Sequence, residues 1–141
     1  IDEYFNYVFG RLPYRSIRFH TEVLEGDMSD GCVTINYTNK GPFTRETHWQ
    51  NLPMHQVNLD SYVRTIEEPC SYEDNNFERY YPVKTYDNEF GKVFELYKEK
   101  ASHIENRMKL IGRCGTYQYL DMDQVVSQSL LSASKWLKNN N

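Results

Sequence analysis

Apolar residues recur along this chain with two different periods. Tyr4, Phe5, Val8 and Phe9 fall at helical spacing ahead of Gly10, which predicts a short helix over residues 1–9 closed by a glycine. Leu12-Pro13-Tyr14 breaks it. Ile17, Phe19, Thr21 and Val23 then alternate with Arg18, His20, Glu22 and Leu24, the period of a half-buried strand. Residues 25–31 read as a polar turn. CVTINYT (32–38) and FTRETHWQ (43–50) are β-rich runs parted by Asn39-Lys40-Gly41-Pro42, so they are predicted to pair antiparallel. Residues 51–59 read as loop, YVRTIE (62–67) as a strand ending before Pro69, and 71–76 as a polar connection. Arg79-Tyr80-Tyr81-Pro82-Val83 is predicted extended, because a residue preceding proline avoids the helical region. Over 88–102, Phe90, Val93, Phe94, Tyr97 and Ala101 share one face of an amphipathic helix. Residues 108–111 read as a buried strand end, 121–137 as a final helix, and 139–141 as a fraying terminus. Strands come early and helices late, without βαβ alternation. The predicted class is α+β, an antiparallel sheet with flanking helices and a long C-terminal helix.

Composition narrows the picture. At 141 residues the chain is one domain's worth. Its net charge of −4 and the absence of a basic run speak against nucleic acid as a partner. Cys32, Cys70 and Cys114 are odd in number and lack C-x-x-C spacing, which fits neither a disulfide framework nor a zinc site and suits a reducing cytoplasm. His20, His48, His55 and His103 are scattered without ligand spacing, so no metal is assigned. No stretch has the length and apolarity of a membrane span or the pattern of a signal peptide, and a chain opening at Ile1 implies sequence removed upstream. Twelve tyrosines stand out, since a ring to pack plus a hydroxyl to satisfy suits sugar and nucleotide clefts as well as ordinary sheet faces.

The densest chemistry lies in GRCGTYQYLDMDQ (112–124), where two glycines, two tyrosines and two aspartates precede the final helix. Gly112 and Gly115 permit close backbone approach, and a helix start offers unpaired N–H groups with partial positive charge. An ordinary turn with Asp121 as N-cap accounts for the same residues. Elsewhere, Arg15, Arg45 and Arg113 lie at or in extended segments beside aromatics. Planar guanidinium groups bind diphosphates in bidentate fashion, although sheet-face arginines paired with acids fit the spacing equally.

The wording is more specific than the chemistry. GRCGTYQYLDMDQ resembles the C-terminal flavin-contacting segment of UDP-galactopyranose mutases, and FGRLPYRSIRF (9–19), VTINYTNKGPFTRETHW (33–49) and RYYPVKTYDN (79–88) occur in that family's order. The resemblance covers nearly the whole chain, yet only the C-terminal part of such a mutase. No G-x-G-x-x-G occurs in these 141 residues. The resemblance therefore implies a fragment of a larger FAD-binding flavoprotein: residues 1–107 part of the sheet-bearing substrate region, 108–141 the strand and helix that return to the flavin, and an N-terminal FAD-binding domain outside this sequence. It implies a cytoplasmic enzyme of cell-surface polysaccharide biosynthesis that interconverts UDP-galactopyranose and UDP-galactofuranose through a reduced-flavin sugar adduct. These residues alone are expected neither to bind FAD tightly nor to turn over, and a homo-oligomer is allowed.

Residue by residue, the resemblance makes Arg45, Tyr81, Tyr119 and Asp121 catalytic. Arg15, Arg45, Tyr81 and Tyr119 bind substrate, and Gly112, Arg113, Tyr119, Asp121 and Met122 bind the flavin. Core tyrosines with satisfied hydroxyls are the alternative for Tyr81 and Tyr119. Cys114 stands where the family usually has leucine, and the wording after Arg45 and over 51–62 differs from its common forms. Other classes remain: a non-catalytic sugar-nucleotide or protein-interaction module of the same fold, or a flavin oxidoreductase of amine-oxidase type.

Overall fold

The computed structural model describes residues 1–26, 31–54, 60–104 and 107–139. Five strands, β1 (Tyr14–Glu25), β2 (Thr34–Asn36), β3 (Arg45–His48), β4 (Ser61–Ser71) and β5 (Tyr81–Pro82), form one antiparallel sheet in the order β2-β3-β4-β1-β5. Three helices follow: α1 (Glu89–Ser102), α2 (Gly112–Thr116) and α3 (Met122–Asn139). The α+β reading therefore holds. The chain divides into two compact units, one of Ile1–Arg15 with Phe77–Asn141 and the other Ser16–Asn76.

In the second unit the predicted hairpin forms, with Thr34 opposite Thr47 and Asn36 opposite Arg45. β3 continues the ladder onto β4, Arg45 facing Glu67 and His48 facing Arg64. β4 runs through Pro69, which lies beyond the stretch paired to β3, so its missing N–H costs that ladder nothing. The predicted apolar face of β1 is covered only at its start: Ile17 is buried, as is Ser16 beside it, while Phe19 and Val23 are exposed. Here the side chains that meet are polar. Arg18 and His20 reach Glu68, the Thr21 and Thr65 hydroxyls lie 3.0 Å apart, and Trp49 Nε1 donates to Thr65 Oγ1 at 2.8 Å. Glu46 and His48, two residues apart on one face of β3, are buried together at 2.9 Å; Arg64 approaches Glu46 at 3.4 Å and the Tyr37 hydroxyl donates to it. Residues 27–30 and 55–59, read as turn and loop, lie outside the described residues.

The first unit is built on tyrosines. Tyr97 of α1 is fully buried, its hydroxyl donating to the Gly10 carbonyl at 2.7 Å and accepting from Phe9 N–H at 3.0 Å. Phe94 stacks on Tyr117, whose hydroxyl lies 2.9 Å from both the Pro13 and Val83 carbonyl oxygens. Tyr14 meets Tyr117 edge-on and donates to the Cys114 carbonyl at 3.2 Å; burial, then the neighbouring Cys114, raises its phenol above the ordinary value. α1 buries the predicted stripe at Phe94, Tyr97 and Ala101. Residues 1–9 depart from the expected helix and form consecutive turns, because Asn6 and Tyr7 take left-handed backbone (φ 51° and 56°) and interrupt the helical ladder; Gly10 supplies the expected positive φ. The run 108–111 is likewise irregular: it pairs with no strand among the described residues, and Lys109 and Ile111 are exposed where a buried strand end was expected.

Candidate functional site

The segment 112–124 folds as a short helix, a left-handed turn and the start of a long helix. Gly112 has φ +73°, the conformation that favours glycine, and a side chain there would approach Val125 Cγ1 at 3.9 Å. Its N–H donates to Gln128 Oε1 at 2.7 Å, and its carbonyl accepts from Thr116 Oγ1 at 2.8 Å. α2 ends where Tyr117 turns left-handed (φ 51°) and drops its ring into the core, which leaves Tyr119 on the surface with 59% of its area exposed. Asp121 occupies the N-cap position of α3. Its carbonyl accepts from Val125 N–H at 3.0 Å, and Gln124 Oε1 reaches back to its N–H at 2.8 Å, the returning half of a capping box. The helix thus begins within one residue of Asp121, as its sequence predicts.

Arg113 joins this junction to β5. Its Nε donates to the Leu120 carbonyl, which fixes the head of the side chain. The guanidinium carbon then lies 5.1 Å from the centre of the Tyr81 ring and 4.7 Å from that of Tyr119. Those two rings are themselves stacked, centres 5.4 Å apart and planes 18° from parallel. A cation over two parallel rings, with one ring exposed, is worth roughly 0.5–1 kcal/mol per contact at such a site. More to the point, it holds a planar positive group against two phenol rings.

Arg15 stands opposite Tyr81 in the β1–β5 pairing and is exposed, its carbonyl accepting from Tyr80 N–H at 3.0 Å. The structure therefore brings together Tyr81, Arg113 and Tyr119, with Arg15 adjacent in register and Gly112, Asp121 and Met122 adjacent in the chain. Asp121 and Met122 are exposed, Met122 at 85%. Arg45 belongs to the other unit. There it opens β3, half-exposed, with Nε 3.3 Å from Glu67, the sheet-face pairing that its spacing allowed.

Sequence reasoning passed over Tyr117 and Arg79. Tyr117 sits two residues before Tyr119 in the same word, and only the left-handed turn sends one ring inward and the other out. Arg79 spans Glu3 at 3.1 Å and the buried Asp2 at 4.0 Å, with its guanidinium over Tyr14. Its position in RYYPV was the available signal. The Cys114 thiol donates to the Arg79 carbonyl at 3.6 Å, and burial pushes its pKa up, away from nucleophilic chemistry. Among the described residues no group of three or more His, Cys, Asp or Glu is placed to hold a metal ion. No helix there is long and apolar enough to cross a membrane.

The pattern of the UDP-galactopyranose mutase (GLF) family matches residues 1–119. This chain belongs to that family. It is 32% identical over 142 residues to dTDP-fucopyranose mutase of Escherichia coli, covering 99% of this chain and 36% of the relative. UDP-galactopyranose mutase of Mycoplasma pneumoniae is 30% identical (98% and 35% covered) and that of Mycoplasma genitalium 31% (97% and 34%). The chain thus spans about a third of the length of the curated relatives it matches. In this UDP-galactopyranose mutase family member, the family match takes in Arg15, Arg45, Tyr81, Arg113 and Tyr119 but ends before Asp121.

Proposed function

We propose that these residues form the part of a sugar-nucleotide mutase that holds the substrate diphosphate and faces a flavin, and that the whole protein interconverts UDP-galactopyranose and UDP-galactofuranose. Residues 1–107 supply part of the substrate region and 108–141 return to the cofactor. The observation that carries this reading is the Arg113 guanidinium lying over the stacked Tyr81 and Tyr119 rings. Such a face offers fixed positive charge and phenol donors to an anion.

The residues present fit the edge of a flavin ring system. Gly112 keeps the backbone free of a side chain, Tyr119 and Met122 are exposed, and α3 opens at Met122 with the first-turn N–H groups that lack helical partners. FAD in reduced form, when bound, supplies an electron-rich ring to the sugar's anomeric carbon. The chain's own residues bind and orient. Tyr81 and Tyr119 donate hydroxyl hydrogen bonds to diphosphate oxygens, Arg15 adds charge as negative charge collects on the departing UDP, and Asp121 borders the sugar.

A second reading has a specific observation behind it, since a relative at 32% identity is a dTDP-fucopyranose mutase. Both are tested with a protein of the relatives' length carrying this chain, assayed under reducing conditions with each nucleotide sugar. Ring interconversion of UDP-galactopyranose at the higher kcat/KM is expected. The opposite preference selects the second reading, and absence of turnover with either sugar overturns both.

A further inference from the structure

Two glutamines of α3, Gln124 and Gln128, stand four residues apart, neighbours on the helix surface. Each turns its side-chain oxygen back to the segment that carries Arg113. Gln128 Oε1 accepts the N–H of Gly112, the residue before Arg113, at 2.7 Å, and Gln124 Oε1 accepts the Asp121 N–H at 2.8 Å. The Asp121 N–H and the Leu120 carbonyl belong to one planar peptide group, and that carbonyl accepts the Arg113 Nε–H. An unbroken path of hydrogen bonds therefore runs from Gln124 through the 120–121 peptide to the head of Arg113. The two bonds polarise the same peptide, so each strengthens the other and both fix its plane. At the other end, Gly112 has left-handed backbone (φ +73°) and the wide conformational freedom of its type, and its carbonyl is held as well, by the Thr116 hydroxyl at 2.8 Å.

We propose that Gln124 and Gln128 are positioning residues for Arg113. Gln128 sets where its side chain leaves the backbone, Gln124 sets where its guanidinium is held, and together they keep it over the Tyr81 and Tyr119 rings. Attraction between a cation and an exposed ring is weak and tolerates sliding, whereas two hydrogen-bonded anchors define one place. Gln124 is exposed and Gln128 half-buried, so core packing does not account for either. The effect on turnover rests on the sugar-nucleotide reading of that face; the placement of Arg113 does not.

The test uses a protein of the relatives' length carrying this chain, with isotope-labelled arginine and the Arg113 Nε–H resonance identified by its loss in Arg113→Lys. Gln124→Met and Gln128→Met keep side-chain length and remove the acceptor, while Gln124→Glu and Gln128→Glu keep an acceptor. Each Met variant should shift the Arg113 Nε–H resonance and speed its exchange with water, the Glu variants should stay near the parent, and melting temperatures should stay within a few degrees. For UDP-galactopyranose, kcat/KM should fall about three- to tenfold in each Met variant, the worth of an ordinary hydrogen bond, and recover in the Glu variants. It should fall no further when Arg113→Ala is already present. An Arg113 Nε–H resonance unchanged by both Met variants overturns the proposal, as do losses that add to that of Arg113→Ala. A shifted resonance in a protein whose parent turns over no nucleotide sugar overturns the sugar-nucleotide reading and leaves the anchoring of Arg113 standing.

Discussion

The two units solve the same packing problem with different chemistry. In Ser16–Asn76 the buried side chains are largely polar, with Glu46, His48 and Thr65 among them, and ion pairs of Arg18, Arg45 and Arg64 with glutamates tie the strands. In the other unit the buried side chains include Leu12, Tyr14, Phe94, Tyr97, Ala101 and Tyr117 with a single acid among the described residues, Asp2, and tyrosine hydroxyls reach the carbonyls of Gly10, Pro13 and Val83. A phenol packs a large ring and spends its one polar group on a neutral hydrogen bond, so irregular backbone can be covered without burying charge. Each unit also buries one carboxylate near an arginine, Asp2 by Arg79 in the first and Glu46 by Arg64 in the sheet unit, but among the described residues only in the sheet unit do ion pairs also run from strand to strand. The difference teaches that the first unit should respond mainly to lost volume, the second mainly to lost charge.

The largest expected effect is therefore at Tyr117. Tyr117→Ala removes the ring that stacks on Phe94 and meets Tyr14, and should cost about 3–5 kcal/mol in denaturant unfolding of this chain. Tyr117→Phe keeps the ring but takes the hydroxyl from the Val83 carbonyl and from the Pro13 carbonyl, which retains the Val83 N–H, for roughly 1–3 kcal/mol. If Phe cost as much as Ala, packing would not be what holds this unit. Next is Glu46→Gln, which conserves shape and removes the charge that faces His48 and Arg64. Loss of about 1–3 kcal/mol is expected, more at low salt than at high, and a neutral result would mean the charge is idle.

A smaller effect concerns acid. Hydrogen bonds from His20 and then Arg18 hold the Glu68 carboxyl below the usual carboxylate range. A depressed folded value means its contribution is fully present above the ordinary glutamate pKa and is lost as pH falls through the folded value. A carboxyl-carbon titration should place Glu68 below an ordinary glutamate, and His20→Gln should move it upward. An unshifted midpoint would show that this cluster carries no charge-linked stability.

Much of this architecture was legible. Periodicity alone located α1 and its buried stripe, Asn39-Lys40-Gly41-Pro42 located the hairpin, and Asp121 as N-cap located the start of α3, where Gln124 Oε1 accepts the Asp121 N–H. Periodicity names a face but not what covers it, which is why the apolar set of β1 at Phe19 and Val23 was found exposed. Local spacing also cannot foresee two successive left-handed residues such as Asn6 and Tyr7, for which helical and turn backbone share one sequence pattern. At the candidate site, the family wording named Arg113, Tyr81 and Tyr119, but the contacts of Tyr81 with the other two join residues 32 or more positions apart and depend on the turn at Tyr117. No local rule supplies that.

The central claim, that this face belongs to a sugar-nucleotide mutase, is tested most directly at Arg113 in a protein of the relatives' length. Arg113 contributes to no buried core, so Arg113→Ala should leave the melting temperature within a few degrees. Removal of a charged hydrogen-bonding group, worth about 1.5–3 kcal/mol, should lower kcat/KM for UDP-galactopyranose at least tenfold. Unchanged kcat/KM in a folded Arg113→Ala protein would contradict the account.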